Sequence, residues 1–155
     1  MKTFNEFINE SLRDKMVGKP IEIAINNIFK NDKYDDILDN AENYFYTTDA
    51  NMMYPDIFYF SIIKKMDFDI IKKNISDVIQ SVFTKDGKPT WMSDAIKKFK
   101  PEINNLESLE GLQHLIFEID DVVGDVYFRD EILRQLIKKQ DIKKTKNDII
   151  DLIKN

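Results

Sequence analysis

The sequence predicts an all-α fold, an irregular bundle of about seven to eight helices. Three observations carry this. Apolar residues recur at intervals of three and four along most of the chain. Glycine and proline number only four each among 155 residues, too few for a turn-rich β architecture. Helix-start patterns such as Thr3 with Glu6, and Thr145 with Asp148, precede apolar-periodic runs.

The elements follow in order. Thr3 to Met16 reads as an amphipathic helix with Phe4, Phe7, Ile8 and Leu12 on one face. Gly18 and Pro20 stop it, and Pro20 suits the first position of the next helix. Ile21 to Phe29 has helical spacing at Ile21, Ile25, Ile28 and Phe29, although Ile21, Ile23 and Ile25 also alternate like a strand. Asp32 to Tyr46 is helical, with Tyr34, Ile37, Leu38, Ala41 and Phe45 inward, and Thr47 to Pro55 is a loop. Asp56 to Met66 is rich in aromatics and isoleucine, through Ile57, Phe58, Phe60, Ile62 and Ile63, and periodicity alone does not choose between strand and buried helix. Asp69 to Phe83 is the clearest helix, with a stripe of Ile71, Ile75, Val78, Ile79 and Val82. Asp86-Gly87-Lys88-Pro89 is a turn. Thr90 to Phe99 is a short helix closed before Pro101, and Leu106 to Ile119 another. Val122 to Phe128, β-branched and interrupted by Gly124, suggests a kink or short strand. Asp130 to Lys139 and Thr145 to Ile153 close the chain as helices. Short strands near 56–62 and 122–128 are thus one of the alternatives left open. The one boundary expected is at Val17 to Pro20, dividing an N-terminal helix, residues 1–17, from a body, residues 18–155.

Composition excludes several chemistries. Hydrophobic residues at 43% support a packed core. A formal net charge of -5 argues against unspecific nucleic-acid binding, which needs a basic surface. The absence of cysteine removes disulfides and thiolate chemistry, and one histidine, His114, rules out a histidine-rich metal site. No apolar run approaches the ~18–20 residues that span a bilayer. Glu6 and Glu10, with no apolar central region, do not fit a secretory signal. No Gly-rich phosphate loop, nucleophile elbow or paired-histidine motif appears. The expectation is a non-enzymatic protein without cofactor or metal, with no membrane partner and no sequence-specific nucleic-acid partner.

Some residue groups still invite a functional reading. Asp32, Asp35, Asp36, Asp39 and Glu42 share a helix face, as a phosphate-mimicking surface would; the simpler reading is a solvated face with acidic residues near the positive helix end. Glu118, Asp120, Asp121 and Asp125 are dense in carboxylates but lack the spacing of a calcium loop. His114 reads as a core-edge or surface residue. Tyr44, Phe45, Tyr46, Tyr54, Phe58, Tyr59 and Phe60 read as core, and Trp91 with Met92 as a buried anchor. Lys138, Lys139, Lys143, Lys144 and Lys146 read as a solvated connection, with a small electrostatic contact as the minor alternative.

One segment is sharper. Met1-Lys2-Thr3-Phe4-Asn5-Glu6-Phe7-Ile8-Asn9-Glu10 resembles the capsid-targeting sequence of large contractile-tailed bacteriophages. Phe4, Glu6 and Phe7 match the targeting part. Ile8-Asn9-Glu10 matches the Leu/Ile-x-Glu site at which the phage's maturation protease cuts, which puts the cleavage between Glu10 and Ser11. The resemblance covers about ten residues, and Ser11 to Asn155 resembles no family in this way. A short helix with one apolar stripe, Phe4, Phe7, Ile8 and Leu12, can dock in a groove on a scaffold. It can also be removed without unfolding a body that has its own core. The resemblance implies an internal head protein, located in the virion interior or the bacterial host cytoplasm. Its protein partners would be the scaffold, the maturation protease or a host protein. The alternative expectation is an acidic inhibitor that mimics phosphates and binds a host nucleic-acid-handling or defence protein.

Overall fold

A computed structural model describes residue 3 and residues 21–48, 55–85, 88–89, 96–124 and 126–154. The targeting and processing residues Phe4, Glu6, Phe7, Ile8, Glu10, Ser11 and Leu12 lie outside these, as do Tyr54, Trp91, Met92 and Asp125.

The protein is all-α. Helix α1 covers residues 21–28. Ile28 is buried and Ile21, Ile25 and Phe29 pack against the core, while Ile23 stands 58% exposed. A strand would have put Ile21, Ile23 and Ile25 on one face; a helix turns Ile23 outward. Helix α2, Tyr34–Thr48, buries Ile37, Leu38 and Ala41 completely.

Helix α3, Pro55–Ile63, settles the ambiguous stretch as a buried helix, the second of the two alternatives, rather than a strand near 56–62. Its buried residues Phe58, Tyr59, Ile62 and Ile63 follow the helical repeat, so tertiary burial makes the choice that periodicity does not. Helix α4, Phe68–Val82, starts at Asp67, whose side chain accepts a hydrogen bond from the Asp69 amide at 3.0 Å. Its stripe of Ile71, Ile75, Val78 and Ile79 is buried as the spacing predicts.

The only strands among the described residues are two-residue pieces, β1 (Thr84–Lys85) and β2 (Lys88–Pro89), paired antiparallel across the predicted turn. After a 3-10 turn, Lys97–Phe99, comes α5, Lys100–Asn104. Pro101 does not end a helix here, as the sequence suggested. It lies in the first turn of α5, where a missing N–H leaves no intrahelical bond unmade.

Helix α6, Leu109–Val123, is capped by Ser108, whose hydroxyl accepts from the Gly111 amide at 3.0 Å. It ends at Gly124, in the left-handed conformation with φ 68°, which glycine adopts without a Cβ clash. Helix α7, Val126–Lys138, follows at once, so the strand or kink expected near 122–128 is a helix–glycine–helix junction. Helix α8, Ile142–Lys154, contains Thr145 and Asp148 in its interior. Their predicted cap is therefore not a cap. Asp141 faces the opening turn instead, accepting from the Lys143 amide at 3.3 Å.

Helix α7 is the centre of the bundle, in contact with α3, α4 and α6. Ile132, Leu133, Leu136 and Ile137 are fully buried on it. Each such side chain contributes about 1.5–3 kcal/mol of transfer free energy. Tyr34 ties α2 to α8: its hydroxyl donates to the Gln140 carbonyl at 2.7 Å and lies 2.6 Å from the Thr145 hydroxyl. Burial pushes the Tyr34 phenol above its ordinary range. No described helix is long and apolar enough to cross a membrane.

Candidate functional site: a buried guanidinium among carboxylates

Two sets of charges matter, one on the surface and one inside. On the surface, the α2 carboxylates face the molecule's own cations. Arg134 of α7 donates from Nη1 to Asp39 at 2.5 Å, and from Nη2 to the Asp35 carbonyl at 2.8 Å and its carboxylate at 3.3 Å. Lys138 donates to Asp35 at 3.0 Å, and Lys146 of α8 to Asp32 at 3.2 Å. Glu42 accepts from the buried Tyr59 hydroxyl. Burial and the Glu42 carboxylate push that phenol far above its ordinary range. The Lys138 hydrogen bond holds the Asp35 carboxyl below its usual value. Asp36 is half-buried on the same helix.

Of the five acidic residues singled out in the sequence, Asp32, just ahead of α2, and Asp35, Asp39 and Glu42 on it clasp this helix to the rest of the bundle. Lys138 and Lys146 belong to that clasp, and Lys144 pairs with Asp148 at 3.2 Å. For these three lysines the electrostatic alternative describes the structure better than a solvated connection.

The inner set was not legible as a site. Across the Gly124 junction, Arg129 in the first turns of α7 meets Asp120 near the end of α6 and Asp56 in the first turn of α3. There the Arg129 side chain, 10% exposed, approaches Asp120 at 3.1 Å through Nη1 and Asp56 at 3.6 Å through Nε. Its guanidinium carbon lies 5.0 Å from the centroid of the Phe117 ring, within cation–π range. Asp56 sits in the first turn of α3, where the helix dipole favours a carboxylate. Asp130 adds a third carboxyl, pushed up to about 7 by burial and then by the Asp56 charge. Oδ1 of Asp56, Asp120 and Asp130 and Nε of Arg129 are buried with no hydrogen-bond partner among the described residues. An unmatched buried polar atom costs about 1–3 kcal/mol, so this many in one place is expensive.

The cluster borders a groove of about 520 Å³ between α3 and α6. Asp56, Lys64 and Glu110 bring charge to its lining, and Ile57, Phe60, Leu109 and Phe117 supply its apolar wall. Phe60 and Phe117 stack at 6.3 Å, and Ile57 and Phe117 are 41% and 37% exposed. An apolar wall ending at a buried carboxylate is suited to recognition, apolar contact giving affinity and the charge giving orientation.

Of the sequence candidates among the described residues, only Asp120 and Phe60 belong to this region. Glu118 and Asp120 separate: Glu118 faces His114 at 2.7 Å, whereas Asp120 turns inward to Arg129. Of the aromatic set, Phe45 stacks on Phe58 at 5.0 Å and Phe58 meets Tyr59 at 5.3 Å as core, while Tyr46 is 62% exposed. Asp56, Arg129 and Asp130 were missed. A signal existed: Arg129 precedes Ile132, Leu133 and Leu136 by three, four and seven residues, so it occupies a stripe position on its own helix. Compared with protein-family models, curated proteins and solved structures, the chain matches none.

Proposed function

We propose that this is a phage-encoded internal head protein, packaged through residues 1–17 and cut after Glu10 by the phage's maturation protease, with a non-enzymatic body. The observation that carries the reading is the Phe4, Glu6, Phe7, Ile8-Asn9-Glu10 pattern at the start of the sequence. The groove beside Asp56 supports a protein-binding role for the body, on a scaffold or host protein. The phosphate-mimic alternative gains less, because its carboxylates are engaged with Arg134, Lys138, Lys146 and Tyr59.

The test is co-expression with that protease followed by intact-mass measurement. The reading expects a product beginning at Ser11 and an uncut product from Glu10→Gln. A chain that keeps residue 1 in the presence of active protease overturns it.

A further inference from the structure

We propose that Glu102, His114 and Glu118 form a binding site for a divalent cation of the zinc class. It uses other residues of α6 than those lining the groove and is independent of the packaging proposal.

The three side chains come from two helices. His114 and Glu118 are one turn apart on α6, so they share a face. The rotation of α6 is fixed by its opposite side, where Leu112, Leu115, Ile116 and Ile119 are buried. Glu102 comes from α5, anchored by buried Ile103. One ligand atom from each residue lies within 4.8 Å of the other two, and the imidazole Nε2 is 2.7 Å from Glu118 Oε1. Zinc bonds of 2.0–2.2 Å in a tetrahedron place donors about 3.4 Å apart, so side-chain rotations alone close the site.

The set is more than two exposed acids. It holds the chain's single imidazole. Among the described residues neither carboxylate forms an ion pair with a lysine or arginine, although both lie beside each other and a cation would relieve their repulsion. An imidazole with two monodentate carboxylates selects zinc and its transition-metal neighbours over magnesium and calcium, which take oxygen donors. Three protein ligands leave a fourth position for water.

The experiment titrates zinc chloride into the untagged full chain, followed by calorimetry and by the proton NMR signals of the imidazole. With one histidine in the chain, those signals report this site without assignment. One zinc per chain should bind and move the ring signals, while magnesium at equal concentration leaves them in place. His114→Ala and Glu102→Gln should each weaken binding by more than about tenfold with the helical circular dichroism unchanged, since an outer-shell partner alone is worth about 10–100-fold. Zinc binding that leaves the imidazole signals unmoved, or that survives His114→Ala, overturns the site. Full affinity in Glu102→Gln overturns the three-residue assignment.

Discussion

Arginines 129 and 134 stand five residues apart on one helix, each facing aspartates, and the bundle treats them in opposite ways. The two arginine side chains are similarly covered, 10% and 15% exposed, but Arg134 reaches Asp35 and Asp39, whose side chains are 61% and 57% exposed. Water solvates what the pair leaves unmatched, so the clasp is inexpensive and weak. Arg129 meets Asp56 and Asp120, 9% and 16% exposed, with Asp130 close by. There, desolvation rivals attraction, and loss of one partner strands the others. The same residue types thus act as an adjustable surface tie in one place and an obligatory cluster in the other, and the local dielectric makes the difference.

The comparison can be broken by substitution. Arg129→Met keeps the stem but leaves Asp56 and Asp120 uncompensated; urea unfolding should show a loss of about 3–5 kcal/mol. A loss below about 1 kcal/mol would show that Arg129 carries no more than a surface pair does. Asp130 sharpens the point through pH. Its folded pKa of about 7 lies above the ordinary carboxyl value, so the folded state holds a proton that the unfolded state releases between roughly pH 4 and 7. Stability should fall as pH rises through that window. Asp130→Asn should be more stable than the parent by on the order of 1–2 kcal/mol at pH 8, a figure discounted for the partial exposure of the group, and equal to it at pH 4. An unchanged pH profile in that variant would mean that the carboxyl ionises freely.

Smaller effects belong to the surface. Arg134→Met should cost about 1 kcal/mol at low salt and less at 1 M salt, since part of its contribution is screened. A salt-independent loss would place Arg134 with Arg129 rather than against it. Lys146→Ala, which removes the contact to the 96% exposed Asp32, should change stability by at most about 0.5 kcal/mol in thermal unfolding.

The legible parts of the fold were those governed by local periodicity. The stripe of Ile71, Ile75, Val78 and Ile79 and the inward set of α2 follow from spacing. The misread parts were those whose meaning depends on distant neighbours. Thr145 looked like a cap because threonine and a following acid often make one; it is an interior hydroxyl bonded to Tyr34 and Gln140. Pro101 looked like a terminator because the same ring that ends one helix begins another. The acidic face of α2 was visible, but its cations, Arg134, Lys138 and Lys146, lie about a hundred residues further along and no spacing rule connects them.

By itself the sequence determined that this chain is helical, where its most periodic helices lie and which residues on them face inward, because helix amphipathicity is written in intervals of three and four. Tertiary structure alone decided that 56–63 is a helix, that α7 sits at the centre, and that Asp56, Asp120, Asp130 and Arg129 meet in its interior. Whether a charge is solvated or buried depends on which helices pack over it, and that is a property of the assembled bundle rather than of any stretch of chain.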